Sequence, residues 1–327
     1  MGTQKAMGDD FYSKLRCVES ILILHTQFKD AISRLQQAFE HARNGAEPRH
    51  TFLTGESGTG KTLLAQYFRS LYPPDPSQSD TEIRVLFVST PSSPTLKGLG
   101  EAILSALGDH YGQKGTAFEK LERAIWLLHK RRIQFIFFDE FHHFIDHAKY
   151  NTLAAVTDWL KRFIDDSRIP CVLMGLPRCR AILDANEQLR RRFSRRIELT
   201  AFSMDTPDQE REFRSVLHQI DKALPTQGIS GLGEEDFAAK LYFASDGLMG
   251  YLRKLITEAF QLMVAENQVR LTNDMFERAF TDAIWNEGVG ASNPFNRAFI
   301  PRRLNRIGEP FAIVVNPNMH RGRRAGG

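Results

Sequence analysis

Residues 55–62 have the types and spacing of a phosphate-binding loop. They read Gly-Glu-Ser-Gly-Thr-Gly-Lys-Thr, a full match to the pattern G-x-x-x-x-G-K-[ST]. In such a loop the backbone N–H groups face the phosphates, the lysine reaches the β and γ oxygens, and the last hydroxyl ligates Mg²⁺. The predicted ATP-binding residues are Gly55, Glu56, Ser57, Gly58, Thr59, Gly60, Lys61 and Thr62.

A second motif supplies the acidic residues that this loop lacks. Residues 135–140 read Phe-Ile-Phe-Phe-Asp-Glu, an apolar strand that ends in two carboxylates. We predict that Asp139 ligates Mg²⁺ together with Thr62, and that Glu140 orients and deprotonates the attacking water. The two motifs together predict an ATPase that uses ATP and Mg²⁺.

The elements around these motifs alternate between strand and helix patterns. An amphipathic stripe at Phe28, Ile32, Leu35 and Phe39 predicts a helix before the loop. Strands are predicted at 50–54, 83–89, 134–139, 170–175 and 196–200, and helices at 62–71, 95–107, 116–131 and 150–165. This order indicates an α/β fold, a five-stranded parallel sheet with crossover helices.

The pattern changes after Leu199, where strand signals stop. Residues 206–209 read Thr-Pro-Asp-Gln, a capping box with proline at the first helical position. Further helices are predicted at 234–244, 248–265 and 273–285. We therefore expect a helical extension at 1–48, a nucleotide-binding domain at 49–203, a small all-helical lid at 204–290 and a basic tail at 291–327.

The composition is that of an ordinary globular protein. Hydrophobic residues make up 42% and charged residues 25% of the 327 positions, and the N-terminus lacks the apolar segment of a signal peptide. Without an apolar run long enough for a membrane span, we expect a cytoplasmic protein. The three cysteines, Cys17, Cys171 and Cys179, fit neither a zinc site nor a disulfide framework, and Cys171 is predicted to be a core residue.

Positive charge is concentrated near the C-terminus. Residues 292–327 hold seven arginines against Glu309 alone, whereas the whole chain has a net charge of +4. Two interpretations stay open: contact with an anionic partner, with DNA the first candidate, or a solvated end.

Two arginine motifs could complete an ATPase site. Residues 188–197 hold five arginines, of which Arg191 or Arg192 is favoured as a finger that reaches the γ-phosphate of a neighbouring subunit. The alternative is that these side chains are solvated or contact nucleic acid. The motif Gly250-Tyr-Leu-Arg253 opens a helix that could lay Arg253 across the phosphates of its own subunit.

A histidine group follows the second motif. His143 and His147 lie four residues apart, a spacing that can ligate zinc, but we prefer a role for His142 or His143 beside Glu140. A packed or surface role for these histidines remains the alternative.

The assembly resembles an AAA+ ATPase, and more closely the TniB/TnsC branch that regulates DNA transposition. The motifs that carry this resemblance lie within residues 20–285: Gly-Glu-Ser-Gly-Thr-Gly-Lys-Thr, Phe-Phe-Asp-Glu-Phe-His-His, Val-Leu-Met-Gly-Leu-Pro, Leu-Arg-Arg-Arg-Phe and Gly-Leu-Met-Gly-Tyr-Leu-Arg-Lys-Leu. The resemblance implies a homo-oligomer, a ring or a filament, that forms with ATP around double-stranded DNA. It also implies transposase and target-selector proteins as partners.

DNA contact in such an assembly would come from basic residues that bind phosphates without reading bases. The candidates are Lys97, Lys114, Lys120 and Lys149. One departure from the AAA+ pattern is that Met174-Gly175-Leu176 places no polar side chain at the end of the fourth strand, so hydrolysis is expected to be slow or partner-dependent.

Other ATPase classes remain as alternatives. A replication initiator or helicase loader would share every nucleotide-binding residue and differ in its partners. A protein-remodelling AAA+ ATPase is less favoured, because residues 90–100 lack the aromatic pore loop of that class. A signalling NTPase would normally carry an appended effector or repeat domain.

Overall fold

The computed structural model of the protein describes residues 9–73, 84–146 and 150–312. Its contacts divide the chain into two compact units, Leu24–Thr200 and the pair of segments Met1–Ile23 and Ala201–Gly327. Within the described residues, no helix combines the length and apolarity that crossing a bilayer requires.

The first unit is built on the predicted five-stranded parallel sheet. The strands are β1 Thr51–Gly55, β2 Val85–Ser89, β3 Phe135–Asp139, β4 Cys171–Gly175 and β5 Arg195–Leu199, in the order β2-β3-β4-β1-β5. Its helices are α2 Thr26–Arg43, α3 Lys61–Ser70, α4 Leu96–Ala106, α5 Ala117–Lys130, α6 His143–Asp146, α7 Tyr150–Ser167, α8 Arg180–Asp184 and α9 Glu187–Arg192. Because all strands run in parallel, β1 and β3 end at the same edge, where residues 55–62 and Asp139 follow.

Helices cover both faces of this sheet, and every residue of β1, β3 and β4 is buried. On β3, Phe138 faces a core formed with α4, α5 and α7, and its ring lies 5.6 Å from that of Phe163. On the opposite face, Phe135 packs 5.0 Å from Phe68 of α3 and 5.9 Å from Phe39 of α2. Cys171 is buried, as predicted.

The second unit is helical. It contains α1 Asp9–Ser20, α10 Pro207–Ala223, α11 Glu235–Ser245, α12 Met249–Ala265 and α13 Asn273–Ala283. The predicted capping box is present at Thr206 and Gln209, and the Thr272 hydroxyl caps α13. The apolar faces of these helices form one core.

The described part of the basic segment, residues 291–312, packs against this helical core and is not a free tail. Phe295 and Leu304 are buried, and the Phe295 ring stacks 5.4 Å from Phe276 of α13. Arg302 pairs with Glu309, and Arg303 forms two hydrogen bonds with Asp246. Internal ion pairs therefore use two of the arginines that the sequence offered to an anionic partner.

The observed units also differ from the expected N-terminal extension. Residues 9–20 belong to the helical unit, where Val18 joins the core, whereas α2 belongs to the nucleotide-binding unit through Phe28, Leu35 and Phe39. The expected segment 1–48 is thus divided, because its two helices bury their apolar faces in different cores.

Candidate nucleotide-binding site

The phosphate loop lies between the end of β1 and the start of α3. Gly58 and Gly60 have φ values of 83° and 97°, a backbone region that side chains disfavour. Gly55 cannot carry a side chain, since a Cβ atom there would lie 2.6 Å from Thr59 Oγ1 and collide with the Leu199 carbonyl. Gly60 precedes α3 without a capping side chain, so the N–H groups of the first turn face outward as an anion site.

Lys61 is held inside its own loop. Its ammonium donates to the carbonyl oxygens of Gly55 and Glu56 at 2.8 and 2.9 Å, and the residue is only 7% exposed. Burial lowers the pKa of Lys61, and the carboxylates of Asp139 and Glu140 oppose that shift. The Lys61 ammonium already lies in the loop. When a nucleotide binds, its phosphate oxygens would replace these two carbonyl oxygens as the hydrogen-bond acceptors of Lys61.

Thr62 and Asp139 meet where the loop faces β3. Thr62 Oγ1 donates to Asp139 Oδ2 at 2.6 Å, and the Glu140 backbone N–H donates to Asp139 Oδ1 at 2.8 Å. A hydroxyl and a carboxylate are the oxygen ligands that Mg²⁺ takes beside phosphates and water. The pair fits the predicted Mg²⁺ role.

Glu140 is held beside two histidines. Its Oε2 lies 3.2 Å from His142 Nε2 and 3.8 Å from His143 Nε2. These three side chains form the one group among the described residues whose ligand atoms could jointly hold a metal ion. His147, the other member of the predicted zinc spacing, lies outside the described residues.

Arg178 and Asp146 form a further ion pair that the sequence analysis missed. Arg178 Nε and Nη2 donate to the two Asp146 oxygens at 2.5 and 2.6 Å, which raises the pKa of Arg178 and lowers that of Asp146. The charge of Glu56 also acts on the Arg178 pKa, so this pair is electrostatically coupled to the phosphate loop. Arg178 lies three residues beyond β4, and only this position in the sequence indicated that it could lie near the phosphate loop.

The arginine run lies at the other end of the same unit, at the start of β5. Arg192 donates to both Asp165 oxygens at 2.8 and 2.9 Å, and Arg191 pairs with Glu187 at 2.6 Å. Both line a groove with Arg168. To reach another subunit, Arg191 would have to break its pair with Glu187, and Arg192 its pair with Asp165.

Arg253 lies on α12 of the helical unit. Its Nη2 donates to the Ile21 carbonyl at 2.9 Å, and burial lowers its pKa. This contact ties α12 to the segment after α1. Its role toward phosphates stays a prediction.

The four lysines predicted to bind DNA differ in their surroundings. Lys97 and Lys114 are exposed. Lys120 is 1% exposed; its ammonium donates to the carbonyls of Gly112 and Lys114 and pairs with Glu101 at 3.2 Å. The prediction for Lys120 was therefore wrong, because its charge is used inside the subunit. Lys149 lies outside the described residues.

The chain matches one known protein family over much of its length. Residues 16–204, more than half of the chain, match the family model described as bacterial TniB protein. The chain belongs to the TniB family. No curated protein sequence gives a significant match.

Solved structures share the fold of this TniB-family chain. The Aeropyrum pernix ORC1 protein in complex with DNA is 16% identical, with a TM-score of 0.62 over 82% of this chain and 69% of that chain. The Aeropyrum pernix ORC2 protein in ADPNP–ADP complexes is 16% identical, with a TM-score of 0.60 over 82% and 71%. Cdc6p from Pyrobaculum aerophilum is 16% identical, with a TM-score of 0.58 over 81% and 70%. The predicted AAA+ fold with its helical C-terminal region is confirmed.

Proposed function

We propose that this TniB-family protein is an ATPase that assembles on duplex DNA with ATP and regulates DNA transposition. The observation that carries the proposal is the convergence of Lys61, Thr62, Asp139 and Glu140 at one edge of the sheet. Hydrolysis of ATP to ADP and phosphate would reverse the assembly. ATP would thus act as the signal for the assembled state.

The nucleotide chemistry uses residues that already point into the loop. Lys61 and the N–H groups of α3 would bind the phosphates, and Thr62 and Asp139 would hold Mg²⁺. Mg²⁺ supplies neutralisation of phosphate charge when it is bound. Glu140 is the group that would accept a proton from the attacking water.

Completion of the site would require a second subunit. Arg191 or Arg192 would stabilise the charge on the transferred phosphoryl group of a neighbour, and Arg253 would act on its own subunit. Arg192 is held by Asp165 and Arg191 by Glu187, so release from these carboxylates would accompany assembly. Slow, partner-dependent hydrolysis is consistent with this requirement.

DNA would be bound through its backbone, independent of sequence. Lys97 and Lys114 remain as proposed contacts, because both residues are exposed in the segment between β2 and β3. Transposase and target-selector proteins are the proposed partners, in the cytoplasm. Lys149 is also proposed to contact DNA, on the basis of the sequence alone.

The experiment is to image the purified protein with duplex DNA and either ADP or a slowly hydrolysed ATP analogue. We expect rings or filaments on DNA with the analogue and separate subunits with ADP. The same imaging with Lys61→Ala protein is the matched control and should give separate subunits in both nucleotides. Equal assembly with ADP and the analogue, or none with either, would contradict the proposal.

A further inference from the structure

Glu140 occupies an unusual position directly after β3. Its φ value is 55°, a left-handed backbone that non-glycine residues seldom adopt. Its side chain is 42% exposed, so an unrestrained carboxylate would sample many rotamers. A general base must instead present one oxygen to the water.

His142 supplies such a restraint. The residue is buried, and its Nε2 lies 3.2 Å from Glu140 Oε2. Burial lowers the pKa of His142, and Glu140 opposes this, so the shift favours the neutral imidazole. A neutral imidazole that donates to this carboxylate would do so through Nε2–H, because a carboxylate oxygen only accepts hydrogen bonds.

This arrangement leaves the second ring nitrogen without a partner. His142 Nδ1 is buried and makes no hydrogen bond among the described residues. Leaving a buried acceptor unpaired is unfavourable. Hydrogen bonding to both ring nitrogens therefore does not explain why the imidazole lies here.

The end of β4 is shaped around this histidine. A Cβ atom at Gly175 would lie 3.1 Å from the His142 backbone nitrogen, 3.5 Å from Nδ1 and 2.5 Å from Cys179 Sγ. The Phe141 N–H also donates to the Met174 carbonyl at 2.9 Å, which fixes the backbone between Glu140 and His142. The imidazole thus lies against Gly175 at the end of β4, where residues 174–176, Met-Gly-Leu, provide no polar side chain.

We propose that His142 is a positioning residue for Glu140. The inference rests on the proposed ATPase function and adds a residue to it. The Nε2–H group holds Oε2, and Oε1 is left to accept the water proton as the water oxygen bonds to the γ phosphorus and the bond to ADP breaks. The proton then passes from Glu140 to solvent, and the carboxylate is restored.

The test compares two amides that differ by one methylene group. Gln at position 142 can place an N–H near the Nε2 position, whereas Asn is too short. We expect His142→Gln to keep kcat within about threefold and His142→Asn to lower it about tenfold, part of the roughly 100- to 10,000-fold that a general base contributes. ATP affinity and KM should be unchanged in both.

His129→Gln is the matched control, because it makes the same substitution at an exposed histidine of α5. It should retain kcat. Equal rates for the Asn and Gln variants at position 142, or a faster Asn variant, would overturn the proposal. So would an Asn variant that loses ATP affinity as much as activity, since His142 would then support the whole site.

Glu140→Gln separates this inference from the proposed function. If Glu140→Gln protein hydrolyses ATP at the wild-type rate, the role of Glu140 itself fails. If it is inactive while His142→Asn matches wild type, only the role of His142 fails.

Discussion

Thr62 Oγ1 donates a 2.6 Å hydrogen bond to Asp139 Oδ2, although the two residues are 77 positions apart. The contact joins the start of α3 to the end of β3, so the phosphate loop and the acidic strand end are aligned by one bond. Both oxygens suit Mg²⁺. Thr62 and Asp139 would hold Mg²⁺, which would neutralise phosphate charge when bound.

Removal of the Asp139 charge should raise the Mg²⁺ requirement. We expect Asp139→Asn to increase the half-saturating Mg²⁺ concentration at least tenfold. Loss of a residue that only hydrogen-bonds to a metal ligand typically lowers metal affinity by about 10- to 100-fold, and loss of a ligand itself should do no less. Titration of Mg²⁺ in an ATPase assay measures this. Asp158→Asn is the control, because Asp158 is 70% exposed and pairs with Lys161 on α7, and it should keep the wild-type requirement. An unchanged requirement in Asp139→Asn would contradict the assigned ligand.

The arginine run should act between subunits. We expect Arg191→Ala/Arg192→Ala protein to bind ATP but to lose about 10³-fold or more in kcat, as for other arginine fingers. Glu140→Gln protein is also expected to be inactive, yet its arginines are intact. Mixing the two should restore hydrolysis, since the second can supply arginines to the first.

Arg168→Ala is the control for this complementation, because Arg168 lines the same groove. It should keep activity alone. A mixture no more active than its components would count against an arginine supplied in trans.

Exposed and buried lysines should behave differently toward DNA. Lys97→Glu and Lys114→Glu should weaken duplex binding to a similar degree on unrelated sequences, and each should reduce the salt slope by about 1, as expected when one phosphate is no longer neutralised. Lys120→Met should leave the salt slope unchanged and reduce stability by roughly 1–3 kcal/mol, because its carbonyl partners become unpaired. Wild-type affinity in a Lys97→Glu/Lys114→Glu protein would remove both residues from the proposed interface.

His50 should make the protein sensitive to acid. Burial lowers its pKa from 6.5 to about 4, with Arg192 acting in the same direction and Asp165 against it. Because the unfolded chain binds this proton more readily, the contribution is present above pH 6.5 and is lost as the pH falls through about 4. The conversion of about 1.36 kcal/mol per pKa unit gives about 3 kcal/mol.

Denaturant unfolding between pH 7 and pH 4 measures this contribution. His50 Nδ1 accepts from the Cys171 N–H at 3.2 Å, and Asn can offer an acceptor there without titrating. His50→Asn should therefore flatten the pH dependence of the free energy of unfolding. An identical slope in both proteins would show that other groups govern it.

The sequence predicted the sheet and most helices because their signals are local. The apolar spacing of Phe28, Ile32, Leu35 and Phe39 places α2, and the capping box at Thr206 starts α10. The phosphate loop needs only its own backbone and the strand before it. Such elements depend little on distant partners.

The errors concern side chains whose partners are distant or irregular. Lys120 is aligned with Ala124 and Leu128 on the buried face of α5, a periodicity that could have indicated burial. Its acceptors lie in the loop at residues 108–115, which carries no such signal. The contact of His142 with Gly175 and the packing of Leu304 likewise require three-dimensional information.

The most direct test of ATP-controlled assembly is a comparison of Glu140→Gln and Lys61→Ala proteins by sedimentation on duplex DNA with ATP. Glu140→Gln should bind ATP and persist in large DNA-bound assemblies after wild-type assemblies have dispersed, whereas Lys61→Ala should sediment as separate subunits. Equal loss of assembly in both variants, or persistence in both, would contradict the account.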